Sequence, residues 1–269
     1  MACDIALIGF GEAGSTFASA GRWGARASAY DSDASRLGEM ADIGIAGEPS
    51  PDAALAGAPL VLSLVTADQA LAAAHSCAPL LAPGAIWCDM NSVAPETKRA
   101  AASVIESAGG RYADVAVLAP VNPGGLAVPL LISGQCANDA QAALQAMGFT
   151  NARIVGDEIG RASAIKMIRS VMVKGIEALA AEMIAGAEAA GVTEEVLASL
   201  DASERGEGWA RRTAYCLERM ATHGLRRAAE MEEAAKTLAA LGVEPVMTNG
   251  TVQRQREMAG RIAGRSMAA

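Results

Sequence analysis

A glycine-rich segment near the N-terminus has the residue types and spacing of a dinucleotide site. Gly9-Phe10-Gly11-Glu12-Ala13-Gly14 follows a short β-rich run, residues 5–8, and opens a helix pattern. In a G-x-G-x-x-G turn the first glycine permits the tight turn, the second lets the backbone approach a pyrophosphate, and the third lets the helix pack on the strand. The helix N-terminus offers its amides to the phosphate charge. The strand before and the helix after make the motif specific.

Asp31 ends the next predicted strand, residues 25–30, at the spacing of the acid that accepts hydrogen bonds from an adenosine ribose. A carboxylate there would repel a 2′-phosphate, so NAD is expected in preference to NADP. The alternative is structural, because Asp31-Ser32-Asp33 is also typical of a cap before a helix, here residues 34–40. The glycine loop upstream favours the cofactor interpretation.

A second candidate for chemistry is a lysine on a long predicted helix, residues 158–190. At 100° per residue one narrow stripe of this helix is polar. The stripe contains Lys166, Ser170, Lys174 and Glu177. The far side is apolar and contains Ile168, Met172, Ile176, Leu179 and Met183. A helix that is apolar around most of its girth is expected to be buried between other elements, so the stripe faces either solvent or an enclosed polar cleft. For a lysine considered alone, the solvated stripe is the ordinary interpretation.

The elements that must position these residues alternate between strand and helix over the first half of the chain. Further strands are predicted at residues 60–65, 85–89, 112–118, 129–133 and 152–155, and further helices at residues 67–81, 95–108 and 139–147. This alternation is typical of a doubly wound, Rossmann-like α/β sheet. Ligands of such sheets lie beyond the carboxyl ends of the strands. The segments at those ends are Gly9 to Gly14, Asp31, Val65-Thr66 and Asp89-Met90-Asn91-Ser92.

After the long helix only helix patterns remain, so we predict a dinucleotide-binding domain at residues 1–156 and an all-helical domain at residues 157–269. Residues 215–241 form one long helical run on which His223, Arg227 and Glu230 share a face. Considered alone, this face is a solvated, salt-bridged helix side. A polar break is predicted at residues 203–208, a last helix at residues 246–258, and a loose tail at residues 260–269.

Composition excludes several classes of protein. The net charge of −8, the pI near 4.9 and the 3% aromatic content argue against binding of nucleic acid. The start of the chain has no basic segment and no long apolar run follows, so we expect a cytoplasmic protein that is not bound to a membrane. Five cysteines without CxxC spacing and only two histidines argue against a disulfide framework or a zinc site, and predict small buried thiols.

The order of these parts resembles the β-hydroxyacid dehydrogenase family, which includes 3-hydroxyisobutyrate and 6-phosphogluconate dehydrogenases, in its branch with a compact all-helical C-terminal domain of poorly defined function. The glycine loop matches the family's dinucleotide loop. Asp89-Met90-Asn91-Ser92 with Pro95 is similar to the family's Asp-x-Ser-Thr-x-x-Pro segment, with Asn91 where Ser is usual and Ser92 where Thr is usual. Gly160-Arg161-Ala162-Ser163-Ala164-Ile165-Lys166 is similar to the start of the family's central helix. By that match Lys166 is the catalytic acid/base.

Two departures from the family pattern concern the substrate. Ser170 stands where the family has an asparagine that holds the substrate hydroxyl, and it is a shorter donor and acceptor. Asp114-Val115-Ala116-Val117-Leu118-Ala119-Pro120 stands where the family has Asp-Ala-Pro-Val-Ser-Gly-Gly, whose Ser-Gly-Gly binds the substrate carboxylate. The identity of the substrate is therefore not transferred from the well-known members, and a bulkier or less acidic substrate is compatible with the sequence.

The expected function is hydride transfer between NAD or NADP and the hydroxyl of a small hydroxy acid or related alcohol. Lys166 and Ser170 are the expected catalytic residues, with Asn91 and Ser92 orienting the substrate. The expected anion partners from the helical domain are Lys174, His223 and Arg227. The resemblance and the apolar long helix also predict a homodimer. Two alternatives stay open: an imine or ketone reductase on the same fold, and a nonenzymatic dinucleotide-sensing protein.

Overall fold

The chain divides into two compact units, residues 1–166 and residues 167–269. The computed structural model describes residues 3–203, 208–240 and 244–261. The predicted polar break after Ser203 and the predicted tail beyond Arg261 lie largely outside the described residues. The functional domain boundary expected after residue 156 stays a prediction, since backbone compactness does not define where a functional domain ends.

The first unit is built on an eight-stranded sheet in the order β3-β2-β1-β4-β5-β6-β7-β8. Its strands are β1 (Ile5–Ile8), β2 (Ala27–Tyr30), β3 (Ala46–Gly47), β4 (Leu60–Ser63), β5 (Ile86–Asp89), β6 (Arg111–Val117), β7 (Leu130–Ser133) and β8 (Ala152–Gly156). Neighbours are parallel except β6 and β7, which pair antiparallel. The strand order reverses between β1 and β4, which is where ligands of doubly wound sheets bind. The predicted Rossmann-like architecture is confirmed.

Seven helices connect these strands: α1 (Glu12–Gly21), α2 (Arg36–Asp42), α3 (Pro51–Leu55), α4 (Ala70–Cys77), α5 (Pro95–Ser107), α6 (Val121–Gly124) and α7 (Ala137–Ala146). The helix predicted at residues 67–81 is α4 flanked by two 3-10 segments, Ala67–Gln69 and Ala78–Leu80. Pro79 lies in the second segment, where it lacks the amide needed to continue an α-helix. Strand β3 and helix α3 were not predicted, because two and five residues are too few to show a hydrophobic period.

The core of the first unit lies on both faces of the sheet. All four residues of β1 are buried, as expected for a parallel strand that is covered on both sides. Phe17 and Phe149 meet edge to face on one side, with ring centroids 5.1 Å apart, and Trp87 and Tyr112 are fully buried on the other. Four cysteines are buried, as predicted, and Cys3 is partly exposed.

The second unit is helical. It contains most of α8 (Arg161–Ala190), together with α9 (Thr193–Ser203), α10 (Trp209–Ala240) and α11 (Val246–Met258). Its core includes Met167, Met231 and Val252. A Cβ atom built on Gly224 of α10 would lie 2.3 Å from the backbone oxygen of Gln255 in α11, so these two helices are in backbone contact. Among the described residues, no helix combines the length and the apolar composition that crossing a membrane requires.

The burial of α8 agrees with an enclosed polar stripe but not with the expected cover of its apolar side. Its apolar side is exposed in the chain, with 67% of Met172, 50% of Leu179 and 46% of Ile168 accessible to solvent. The polar residues Ser170 and Lys174 are buried instead. The interpretation of this stripe as a solvated surface is wrong. The physical reason is that its charged groups are paired with partners on α10, which a helical wheel of one segment does not reveal.

Candidate functional site

The glycine loop after β1 has the geometry that its sequence predicts. Gly9 has φ of +97°, and a Cβ atom there would lie 2.7 Å from the carbonyl carbon and oxygen of Leu64. A Cβ atom on Gly14 would lie 2.6 Å from the oxygen of Gly9. The first and third glycines are therefore required by the packing of the loop itself, since a side chain at either position would collide with backbone.

Gly11 differs from the other two glycines of the motif. A Cβ atom built there meets no described atom within 4 Å, so packing within the described chain does not demand a glycine. Gly11 is also the N-cap of α1, and no side chain among the described residues caps this helix end. An open approach to uncapped amides at a helix N-terminus suits a pyrophosphate. The loop thus fits a dinucleotide cofactor, which Gly9 to Gly14 would hold.

Asp31 lies at the end of β2 beside this loop. Its Oδ2 accepts a hydrogen bond from the amide of Phe10 at 2.6 Å, and its Oδ1 accepts one from the amide of Asp33 at 2.9 Å. Helix α2 begins at Arg36 with Ser35 as its N-cap, so Asp31 does not cap that helix. Asp33 instead accepts from the amide of Ser35 at 3.0 Å, so the part of this segment that serves the start of the helix is Asp33, whereas Asp31 holds the glycine loop.

Val65 and Thr66 follow β4, the neighbour of β1 across the point where the strand order reverses. The amide nitrogen of Val65 would lie 2.9 Å from a Cβ atom on Gly9, which places Val65 against the glycine loop. Thr66 precedes the 3-10 segment Ala67–Gln69, and its carbonyl accepts from the amide of Gln69 at 3.0 Å. The structure thus brings the predicted residues of β1 and β4 to one edge of the sheet.

Asn91 and Ser92 follow β5 and face different surroundings. Asn91 is buried, and its Nδ2 donates to the hydroxyl of Ser63 at 2.9 Å. The Oδ1 atom of Asn91 has no hydrogen-bond partner among the residues that the structure describes. Ser92 instead accepts a hydrogen bond from the Nζ atom of Lys166, a partly buried residue in the second turn of α8. Two residues that lie 74 positions apart in the sequence are therefore paired at the site.

A cluster of buried charges beneath this pair was not predicted. Asp89, Lys98 and Asp114 are almost completely buried, and the Lys98 ammonium lies 2.9 Å from Asp89 and 3.4 Å from Asp114. The hydroxyl of Tyr112 donates to Asp89 at 2.6 Å. Burial, together with these carboxylates, raises the pKa of Tyr112 well above its ordinary value and keeps it a donor. Lys98 shares an i, i+3, i+4, i+7 pattern with the apolar residues of α5, a signal that marks a core position.

The other predicted substrate residues lie in the second unit. Lys174 pairs with Glu230 at 2.8 Å and lies 3.4 Å from the hydroxyl of Ser170. Arg227 pairs with Glu177, and burial lowers the pKa of its guanidinium. The solvated interpretation of the α10 face is wrong, because Arg227 and Glu230 are buried.

Gln255 of α11 binds the second oxygen of the Glu177 carboxylate at 3.1 Å. His223 lies one turn before Arg227 on α10 and is partly buried. Ser170, Lys174 and Arg227 therefore belong to buried polar clusters of the second unit.

The fold and the glycine loop define a Rossmann-type protein with a dinucleotide site, and comparison with known proteins identifies its family. Residues 4–156 match the family described as the NAD binding domain of 6-phosphogluconate dehydrogenase. Residues 187–258 match a domain of unknown function, DUF1932. The chain belongs to the β-hydroxyacid dehydrogenase family, in the branch with a helical C-terminal domain. This confirms the resemblance drawn from the sequence.

Solved structures agree with this assignment. A conserved hypothetical protein from Sinorhizobium meliloti 1021 is 37% identical, with a TM-score of 0.74 over 100% of this chain and 92% of that one. The conserved protein MTH1747, of unknown function and described as structurally similar to 3-hydroxyacid dehydrogenases, is 30% identical, with a TM-score of 0.73 over 97% and 99% of the two chains. A 3-hydroxyisobutyrate dehydrogenase from Salmonella typhimurium, 17% identical with a TM-score of 0.77 over 94% and 93%, shares the fold.

Proposed function

We propose that this protein is a dehydrogenase that transfers a hydride between NAD or NADP and the hydroxyl of a small hydroxy acid or related alcohol, with Lys166 as the general acid/base. The observation that supports this most is the hydrogen bond from Lys166 to Ser92, because Ser92 follows β5 at the edge of the sheet where ligands bind. When bound, the nicotinamide supplies the hydride chemistry. The protein must then orient the alcohol and move one proton.

Lys166 moves that proton at its Nζ atom. It takes the hydroxyl proton in oxidation and returns it in reduction. A lysine acts as a base only in its neutral form, which burial away from water favours. The hydroxyl of Ser92 holds the amine in place, since it accepts the hydrogen bond that Lys166 donates. Ser170, one turn further along α8, is proposed to orient the substrate hydroxyl. Asn91, in the loop after β5, is proposed to contact and orient the substrate.

The substrate is proposed to carry a carboxylate or a similar anionic group, with Lys174, His223 and Arg227 as its partners. Lys174 and Arg227 already form ion pairs with Glu230 and Glu177. A substrate carboxylate would have to share or replace those partners, so each contact would contribute less than an isolated cation. This arrangement suits a substrate whose main recognition comes from its hydroxyl and its apolar body.

A screen of hydroxy acids, aldehydes and imines, followed by nicotinamide absorbance, tests the proposal together with the variant Lys166→Met. Loss of a positioned acid/base should lower turnover at least about a hundredfold while the fold and cofactor binding stay intact. Lys174 is not a suitable control, because it is buried and ion-paired. Lys236, with 65% of its side chain exposed, is the matched control, and Lys236→Met should leave turnover unchanged.

Other outcomes of the same screen would contradict the proposal. Near-normal oxidation of an alcohol by the Lys166→Met variant would remove Lys166 from the mechanism. Full imine reduction by that variant would favour the imine reductase, which needs no acceptor for an alcohol proton. Tight binding of the dinucleotide without turnover of any compound would favour a sensing protein.

We also propose that the protein is a homodimer whose interface includes the apolar side of α8. Ile168, Met172 and Leu179 are each at least 46% exposed in the single chain, and they lie on one side of that helix. A contiguous exposed apolar surface is typical of an interface between proteins. The family resemblance implies the same assembly.

A further inference from the structure

The charged cluster of Asp89, Lys98 and Asp114 contacts neither the substrate nor the cofactor in the proposed chemistry. Two carboxylates and one ammonium leave one net negative charge, and none of the three side chains is more than 1% exposed. Moving each such group out of water costs several kcal/mol, which mutual attraction repays only when the geometry is good. Burial of these charges is therefore weak evidence of a stabilising role.

One carboxylate of the cluster shapes the loop that carries Ser92. Asp89 Oδ1 accepts from the amide of Asn91 at 2.9 Å and from the Lys98 ammonium at 2.9 Å. Lys98 also donates to the backbone oxygen of Asp89 at 2.6 Å, and Tyr112 donates to the second carboxylate oxygen. Asp89 thus holds the amide of Asn91, the residue before Ser92, and the buried side chains of Lys98 and Tyr112 hold the Asp89 carboxylate in place.

The other carboxylate of the cluster caps the helix that carries Lys166. Asp114 Oδ2 accepts from the amides of Gly160 and Ser163 at 3.1 and 3.0 Å. Gly160 directly precedes α8 and has no side chain with which to cap it. A Cβ atom there would lie 2.6 Å from Nη1 of Arg99. Asp114 supplies part of the missing cap from a distant strand, and the hydroxyl of Ser133 supplies the rest by accepting from the amide of Ala162 at 3.0 Å.

We propose that Lys98 is a positioning residue that sets the hydrogen bond between Ser92 and Lys166. Its ammonium lies between Asp89, which holds the Ser92 loop, and Asp114, which holds the start of the Lys166 helix. The two halves of the acid/base pair come from distant parts of the chain, and Lys98 is the side chain that contacts both of their supports. This inference rests on the proposed function for its catalytic meaning. A misplacement of a catalytic group by about 1 Å can lower the rate of the catalysed reaction about a hundredfold.

The test removes the Lys98 ammonium from between Asp89 and Asp114 without changing the net charge of the three positions. In the double variant Lys98→Met/Asp114→Asn one carboxylate remains, so the net charge of the three positions is unchanged. Asparagine at position 114 keeps one side-chain oxygen to accept from the amides of Gly160 and Ser163, which both bind a single oxygen of Asp114. The readout is the apparent pKa of Lys166, measured from the pH dependence of trace acetylation of each lysine by acetic anhydride, with mass spectrometry. The chain has four lysines, which makes the assignment direct.

The double variant should change the apparent pKa of Lys166 by at least about half a unit. The same pair of substitutions in a Ser92→Ala background should produce no further change, because the hydrogen bond through which Lys98 acts is then already absent. The exposed Lys236 should titrate as in the unmodified protein in every variant. These measurements need no substrate, so their outcome is independent of the turnover of the Lys166→Met variant.

An unchanged apparent pKa of Lys166 in a folded double variant would overturn the proposed role of Lys98, even if the melting temperature of the variant fell. A pKa change of equal size in the Ser92→Ala background would overturn it too, since the cluster would then act through space. If the double variant does not fold, Asp114→Asn alone decides the matter. That isosteric change removes one of the two ion pairs of Lys98, and it must shift Lys166 in the same Ser92-dependent way.

Discussion

The preference for NAD over NADP can be tested at Asp31, where the structure separates two effects of one carboxylate. Two unit charges about 4 Å apart interact by about 1 kcal/mol in water and by about 4 kcal/mol at an effective dielectric constant of about 20. Asp31 is partly exposed, so repulsion of a 2′-phosphate should lie near the lower of these values for each unit of charge. With a phosphate charge of about −1.5 to −2, NADH should bind roughly ten- to thirtyfold more tightly than NADPH.

The variants Asp31→Asn and Asp31→Ala separate the repulsion of the 2′-phosphate from the role of Asp31 in holding the glycine loop. Asparagine keeps one acceptor oxygen for the amide of Phe10, so it should reduce the cofactor preference at least about fivefold with little loss of NADH affinity. Alanine leaves the Phe10 amide without that partner, at a cost of about 1–3 kcal/mol. It should therefore weaken the binding of both cofactors.

Fluorescence titration with NADH and NADPH measures both variants without a substrate. Equal affinities in the unmodified protein would refute the electrostatic argument. An unchanged ratio in the Asp31→Asn variant would refute it as well, whereas alanine behaving like asparagine would refute the role of Asp31 in holding the loop.

Three further predictions concern stability and assembly. Gly224→Ala should lower the free energy of unfolding, measured in urea, by about 1–3 kcal/mol, because the added Cβ atom would collide with the backbone of α11. The matched control Gly250→Ala should leave the free energy of unfolding unchanged, because open space surrounds the added atom. Burial raises the pKa of the Cys77 thiol from 9.0 to about 11, so the folded state retains a proton that the unfolded chain releases. The free energy of unfolding should fall as the pH rises from about 9 to about 11, and less steeply in Cys77→Ala. Met172→Glu should convert a dimer into a monomer by light scattering, and a monomeric unmodified protein at micromolar concentration would contradict the homodimer.

The parts of the site that depend on local sequence were predictable. Gly9 has a positive φ and a Cβ atom on Gly14 would collide with Gly9, so both glycines are needed within the turn itself, although Gly9 also lies against Leu64, which follows the distant strand β4. The strand alternation and the long helix through Lys166 likewise follow from hydrophobic period and from turn residues. Such features are encoded by neighbours in the chain, so one sequence is enough to locate them.

Some contacts of predicted residues needed the three-dimensional structure. Asp31 was recognised by its spacing, but its hydrogen bond to Phe10 depends on how β2 lies beside the glycine loop. Lys174 was predicted on the correct stripe of α8, but its ion-pair partner was not, since Glu230 belongs to another helix. A helical wheel determines which residues share a side, but it does not determine which side is covered.

The sequence by itself determined the family, the doubly wound sheet and the position of Lys166. Each of these follows from a short sequence pattern that backbone geometry or local packing requires. Only the tertiary structure decided that Lys98 lies in the core between Asp89 and Asp114, and that Asp114 caps the helix of Lys166. The physical reason is that a buried charge is tolerated only where groups from several strands and helices converge on it. That convergence is a property of the folded chain and not of any one segment.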